Sequence, residues 1–224
     1  MSYFIVRDAL GRAEIVGLEE IIGAARARKP RRDPALFTFK YASRWGPVFG
    51  TPIGWLLTLA QLESSHDPRK VNMAVAEKGG AWGLMQQMAD EAVYKTDVIR
   101  KFYTRVHPST KDNWDPSPAN IALVKKTLAK WRGRPSDLLD PDLNMMLASW
   151  QLGRLRRIFG DDLAAVAAAY HQGETAVQKR LDQGKPPVDP RLQPKGYEYV
   201  NRALNTEATY KPLLVSYARQ SLTI

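Results

Sequence analysis

The sequence predicts a mainly helical single domain preceded by a short N-terminal appendage, and three observations carry that prediction. Apolar residues recur at helical spacing in "PIGWLLTLAQLES" (52–64) and again in "NMMLASWQLGRLRRIFG" (144–160). A third segment, "LAAVAAAYHQG" (163–173), is rich in Ala and bounded by Asp and Gly. Strand-type alternation is weak and brief, at residues 3–16 around a turn-like "DALGR" centred on Gly11, which suits a short hairpin.

Taken in chain order, Leu18 to Arg28 reads as a helix. The cluster Arg26, Arg28, Lys29, Arg31 and Arg32, interrupted by Pro30 and closed by Pro34, reads as a solvated linker. The expected division is therefore residues 1–34 as appendage and basic linker, and residues 35–224 as the main domain. Pro52 suits the first turn of a helix, in which Leu56, Leu59, Ala60 and Glu63 share one face. A mixed stretch at about 96–140 combines loop punctuation with a helix-like "ANIALVKKTLAKW" and reads as a helical elaboration.

Asn144 opens the next strong pattern, with Ala148, Leu152, Leu155 and Phe159 on one stripe, three arginines in the closing turns and Gly160 at the end. Asp161 or Asp162 caps the Ala-rich helix, whose small residues suit close packing at a domain centre.

Composition narrows the classes. With 224 residues and 44% hydrophobic content the chain can bury a sizeable core. Cysteine is absent, which removes disulfide frameworks and thiolate metal sites. A net charge of +10 favours an anionic partner, whether nucleic acid, an acidic membrane surface or an acidic polymer such as the bacterial cell wall. The N-terminal residues hold no apolar run long enough for a secretory signal or a membrane span, so delivery by another route is expected for any target outside the cytoplasm.

The chemistry centres on "LAQLESSHDP" (59–68), where an apolar helical face runs directly into Glu63. A carboxyl placed on a buried face loses hydration, its pKa rises, and it becomes a candidate general acid near neutral pH. An isolated Glu at a helix end more often reaches solvent and satisfies a neighbouring backbone group. Metal chemistry is disfavoured because the histidines, His66, His107 and His171, form no H-E-x-x-H, and Glu63 to His66 is a single E-x-x-H. The glycines at 79, 80 and 83 are not followed by G-K-S or G-K-T, so a phosphate loop is not expected.

Four motifs occur in order: "ESSHDP" from Glu63, "GGAWGLMQQM" at 79–88, "AAYHQGETAV" at 168–177 and "GYEYVNRAL" at 196–204. Together they resemble the soluble, lysozyme-like lytic transglycosylases, over roughly residues 38–210 apart from the middle elaboration. The resemblance implies an α+β lysozyme-like fold and no metal or organic cofactor. It implies Glu63 as the catalytic residue and peptidoglycan glycan strands as the substrate, with Asn72, Met85, Gln86, Tyr170, His171, Gln172 and Tyr199 as substrate-binding positions. It further implies cleavage between N-acetylmuramic acid and N-acetylglucosamine. On the family's pattern Glu63 would act first as acid and then as base, the substrate's acetamido group would stabilise the positive centre, and the product would end in a 1,6-anhydro sugar.

The sequence departs from the family pattern at Asn72, where the family has Ser, at His171-Gln172, where it has Asn-Ala, and at Lys195, where it has an acidic residue. The span from Glu63 to Gln86 is about five residues longer than usual. A hydrolase of the same fold, a wall-binding remnant without catalysis and a basic nucleic-acid-binding module are the alternatives; the last is motivated by "RARKPRR" and "RLRRIFG" but matches no known nucleic-acid-binding signature. Nucleic acid is thus not the expected partner. The expected setting is a phage particle that delivers the protein to the bacterial periplasm and cell wall, with residues 1–34 docking it to tail or ejection proteins.

Overall fold

A computed structural model describes residues 3–7, 13–17, 34–74, 79–104 and 117–220. Strands β1 (Tyr3–Arg7) and β2 (Ala13–Gly17) pair antiparallel with Ile5 opposite Ile15, which is the hairpin expected there. The expected helix at 18–28, the basic cluster at 26–32 and the centre of the 96–140 stretch lie outside the described residues.

Helices α1 (Pro34–Phe49) and α2 (Ile53–Ser64) form the first packed pair of the body. Eight of the first eight residues of α2, from Ile53 to Ala60, are buried, so this helix is enclosed on all sides rather than on one stripe. Its stop is sharp. Ser65 and His66 both adopt left-handed backbone conformations, with φ of 55° and 64°. Their N–H groups donate to the carbonyls of Gln61 and Ala60 at 3.0 and 3.2 Å, closing the last turn directly after Glu63. The buried His66 ring then bonds Thr38 Oγ1 through Nδ1 at 3.0 Å and Tyr210 Oη through Nε2 at 3.1 Å, tying the stop to two other helices.

A miniature antiparallel sheet follows, β3 (Val71–Asn72), β4 (Ala81–Trp82) and β5 (Gln87–Met88), in the order β3-β4-β5. The sequence reading found no strand signal here, because two-residue strands are too short to show a period. The stretch expected as an elaboration contains α3 (Ala89–Thr104), which begins ahead of residue 96, and α4 (Pro118–Leu128), capped by Ser117, followed by a 3-10 turn at Pro135–Leu139.

Helix α5 (Pro141–Phe159) starts three residues before the expected Asn144. Asp140 is its cap, accepting from the N–H groups of Asp142 and Leu143 at 3.0 Å each, and Pro141 occupies the first position, where its missing N–H costs nothing. Most of α5 is buried, and it rather than the Ala-rich helix supplies the largest share of core side chains. It passes so close to the end of α1 that a Cβ on Gly153 would collide with the Phe49 carbonyl. Helix α6 (Leu163–Gln172) is the Ala-rich segment; Asp162, not Asp161, caps it, while Asp161 pairs with Arg156. Helices α7 (Glu174–Leu181) and α8 (Pro194–Gln220) complete the fold, with α8 packed across both α6 and α2.

The pairing of α1 with α5 is pinned by one carboxylate. Asp142 Oδ1 accepts from the buried indole of Trp45 at 2.9 Å and from Arg44 at 2.8 Å, and Oδ2 lies 3.3 Å from Lys130. Burial alone would raise the Asp142 pKa, but these donors and cations outweigh it and hold the group below the usual carboxylate range. The stability supplied is whole above the unfolded-state pKa of an aspartate and is lost as pH falls through the depressed folded-state value. Asp142→Ala is expected to cost about 3 kcal/mol at neutral pH by leaving Trp45 and Arg44 unpartnered, with a smaller difference from the parent near pH 3. Urea unfolding at the two pH values checks both the size and its trend.

Candidate active site

Glu63 occupies the last turn of α2, and α8, packed against both α2 and α6, reaches it. Tyr199, in the first turns of α8, donates its hydroxyl to Glu63 Oε1 at 2.5 Å. The residue keeps some solvent contact, yet protein surrounds the carboxyl closely enough that burial raises its pKa. The Tyr199 hydrogen bond and the positive charge of Lys70 oppose that rise without cancelling it. A carboxyl in this position keeps its proton to higher pH than an exposed one and has a donor ready for the charge that appears when the proton leaves.

The loop from Trp82 to Gln86 is held by a buried amide. Asn144 Oδ1 accepts from Met85 N–H at 2.8 Å, and its Nδ2 donates to the carbonyls of Trp82 at 2.7 Å and Leu138 at 2.9 Å. Gly83 sits against this amide with φ +77°; an added Cβ would lie 2.5 Å from Leu138 O and 2.6 Å from Asn144 Nδ2. Only glycine fits there.

A second buried chain supports the same loop from below. Lys95, 5% exposed, donates to Gln87 Oε1 at 2.9 Å and to Gln151 Oε1 at 2.7 Å, and it pairs with Glu91 at 2.8 Å. Burial lowers the Lys95 pKa, and Glu91 offsets part of that loss. Gln87 Nε2 donates to Tyr170 Oη at 2.7 Å, and Tyr170 donates to the Met85 carbonyl at 2.7 Å. Burial, with the charges of Glu63 and Glu91, pushes the Tyr170 phenol well above its ordinary pKa, so it remains a donor.

The structure therefore sorts the expected site residues. Glu63 and Tyr199 meet directly, and Tyr170 lies close enough to feel the Glu63 charge. The exposed His171 stacks on Tyr199 with ring centroids 4.3 Å apart and planes 13° apart, and burial of its inner side lowers its pKa. Gln86 takes a left-handed conformation with φ 44°, and its Nε2 donates to the carbonyls of Lys70 and Gly83. Its buried Oε1 has no donor among the described residues.

Three placements differ from expectation. Met85 is fully buried in the core, so its side chain does not line an open groove; the loop contributes through the Met85 backbone. The Tyr170 hydroxyl expected to meet a sugar is already bonded twice within the protein. Gln172 donates to the Pro187 carbonyl at 3.2 Å, and so braces the segment leading into α8. Asn72 is exposed on β3 and accepts from Ala74 N–H at 3.0 Å.

Other acidic residues in or beside the motifs are engaged elsewhere: Asp67 accepts from Arg69 N–H at 2.9 Å, and Glu174 pairs with Arg154 at 2.5 Å. Glu77 lies outside the described residues. Sequence reasoning missed Lys70, Gln87, Lys95 and Asn144. Asn144 alone left a legible signal, as a polar residue followed and preceded by core side chains.

A partly buried acid at a helix end, one tyrosine bonded to it and a loop clamped by a buried amide make up the candidate site. Residues 117–187 match the family model described as the transglycosylase SLT domain. No curated protein and no solved structure matches the chain. Over that stretch, 71 of the chain's 224 residues, the chain is similar to this transglycosylase domain. The matched stretch runs from the cap of α4 through α7. It takes in the residues 117–140 assigned from sequence to an elaboration, and it stops short of both Glu63 and Tyr199.

The Asn144 amide makes a demanding test of the loop clamp. In Asn144→Asp one carboxylate oxygen would face the carbonyls of Trp82 and Leu138 without a proton. Its folded-state pKa would be raised, so the penalty is full above that value and shrinks as the group protonates on acidification. The expected loss is about 3 kcal/mol at pH 7, partly recovered at pH 4, read by thermal or urea unfolding.

Proposed function

We infer that the chain cleaves the β-1,4 bond between N-acetylmuramic acid and N-acetylglucosamine in peptidoglycan, with Glu63 as general acid and then general base. The observation that carries this reading is the short Tyr199–Glu63 bond on a carboxyl whose pKa burial has raised. Protonated Glu63 delivers its proton to the glycosidic oxygen as the bond from C1 breaks. The neighbouring acetamido group of the sugar stabilises the positive charge at C1. The carboxylate, with Tyr199 still donating to Oε1, then takes the proton from the 6-hydroxyl as its oxygen bonds C1, leaving a 1,6-anhydro sugar and a free N-acetylglucosamine end.

The engagement of Asp67 and Glu174 with other groups supports a mechanism with one carboxylate. The same fold acting as a hydrolase would require water at C1 in place of the 6-hydroxyl. For the setting, we favour delivery to the cell wall within a phage particle, with residues 1–34 docking to tail or ejection proteins. Detection of the chain in purified virions tests it.

Glu63→Gln is expected to slow the clearing of purified peptidoglycan by about 10²–10⁴-fold with the fold intact by circular dichroism. Full-speed clearing by that variant would remove the reading. Mass spectrometry of the soluble products separates the two outcomes at C1, since anhydro products are lighter than hydrolysed ones by one water. Tyr199→Phe removes the donor that favours the ionised acid; it is expected to lower the rate by about tenfold and to move the alkaline limb of the pH–rate profile to higher pH.

A further inference from the structure

Lys70 stands where the acid's helix meets the 83–86 loop. Its Nζ donates to the main-chain carbonyl of Glu63 itself at 2.6 Å. Its own carbonyl accepts from Gly83 N–H at 2.8 Å and from Gln86 Nε2 at 3.1 Å. The carbonyls of Ala60 and Gln61 at the end of α2 are closed by the backbone N–H groups of His66 and Ser65, whereas Glu63 is closed by an ammonium. A neutral donor would satisfy that carbonyl equally well. A cation there also complements the negative end of the helix and lies close enough to the Glu63 carboxyl to favour its ionised form.

The other charged or titratable groups around the acid come from two helices. Tyr199 on α8 donates to it, and Arg202 acts on Tyr199. Tyr170 and His171 come from α6, the first held as a neutral donor and the second stacked behind Tyr199. Neither tyrosine carries a positive charge, and no other cation is found to act on the Glu63 carboxyl among the described residues. The proton leaves Glu63 during the first half of the proposed reaction, and the charge that forms is favoured by the Lys70 ammonium and accepts from the Tyr199 hydroxyl.

We propose that Lys70 is a positioning residue of the cleavage reaction: it locks Glu63 to the 83–86 loop and holds a positive charge beside the acid as its proton leaves. This rests on the reading of Glu63 as the general acid. Geometry and charge are separable, because Lys70→Gln keeps a donor without the charge, Lys70→Arg keeps both and Lys70→Met keeps neither.

The experiment is the pH dependence of kcat/KM on soluble glycan fragments of peptidoglycan at low salt, for the parent, these three variants and Glu63→Gln. Activity requires protonated Glu63 and falls as pH rises through its pKa, so removing the charge moves the alkaline limb to higher pH. The expected result is such a shift for Lys70→Gln and Lys70→Met, with Lys70→Arg retaining the parent's limb. Titration of ¹³C-labelled glutamate carboxyls, with Glu63 identified by its absence in Glu63→Gln, should show the same order without turnover and serves any variant too slow to assay. A Lys70→Gln limb and titration that coincide with the parent's overturn the proposal, whatever happens to the rate. Should Glu63→Gln itself cleave at full speed, the acid assignment fails and Lys70 falls with it; an inactive Glu63→Gln beside an unshifted Lys70→Gln removes the Lys70 proposal alone.

Discussion

The site depends on a balance at one carboxyl. Burial around Glu63 favours the protonated acid, while the Tyr199 hydroxyl and the Lys70 ammonium favour the carboxylate. In the proposed reaction this group gives a proton and then takes one back, and each side alone would disable it: an exposed acid would be ionised before substrate arrived, and a buried one without donors would resist losing its proton. The fold supplies the two influences from parts of the chain far apart in sequence. The enclosed helix α2 provides the burial, and α8 crosses it to bring Tyr199 to Oε1.

That balance is sensitive to position, so the surroundings of the acid are tied down by buried polar groups rather than by apolar packing alone. Asn144 holds both the N–H of Met85 and the carbonyl of Trp82, which fixes the loop to the central helix. The Gly83 backbone can lie against that amide only because it has no side chain. A shift of the loop would move the Lys70 carbonyl, which bonds the loop twice, and with it the ammonium on the Glu63 carbonyl. The amide, the loop and the acid are therefore parts of one mechanical unit.

Much of the scaffold was legible in the sequence because its signals are local. The apolar repeat of α2, the Asp162 cap and Gly173 end of α6, and the stripe of α5 are all carried by residues within a few turns of one another. Glu63 was legible for the same reason, as an acid in line with Leu56, Leu59 and Ala60. What escaped notice depends on partners distant in the chain. Met85 within its motif looks the same whether it faces a groove or the core; the structure buries it completely. Tyr170 looks available for a sugar until Gln87 and the Met85 carbonyl occupy its hydroxyl. Lys70 reads as one more surface cation until its ammonium is seen on the Glu63 backbone. The strands β3–β5 hold two residues each, too few for any alternation to declare itself.

The run from Lys95 through Gln87 and Tyr170 to the Met85 carbonyl has a fixed polarity. An ammonium can only donate, so the Gln87 oxygen must face it, the Gln87 nitrogen must face Tyr170, and the single phenolic hydrogen is committed to a carbonyl that can never release one. Such a chain is a diode without current: it has a direction but no mobile hydrogen. Tyr170 is thereby barred from relaying protons to or from the nearby Glu63 carboxyl.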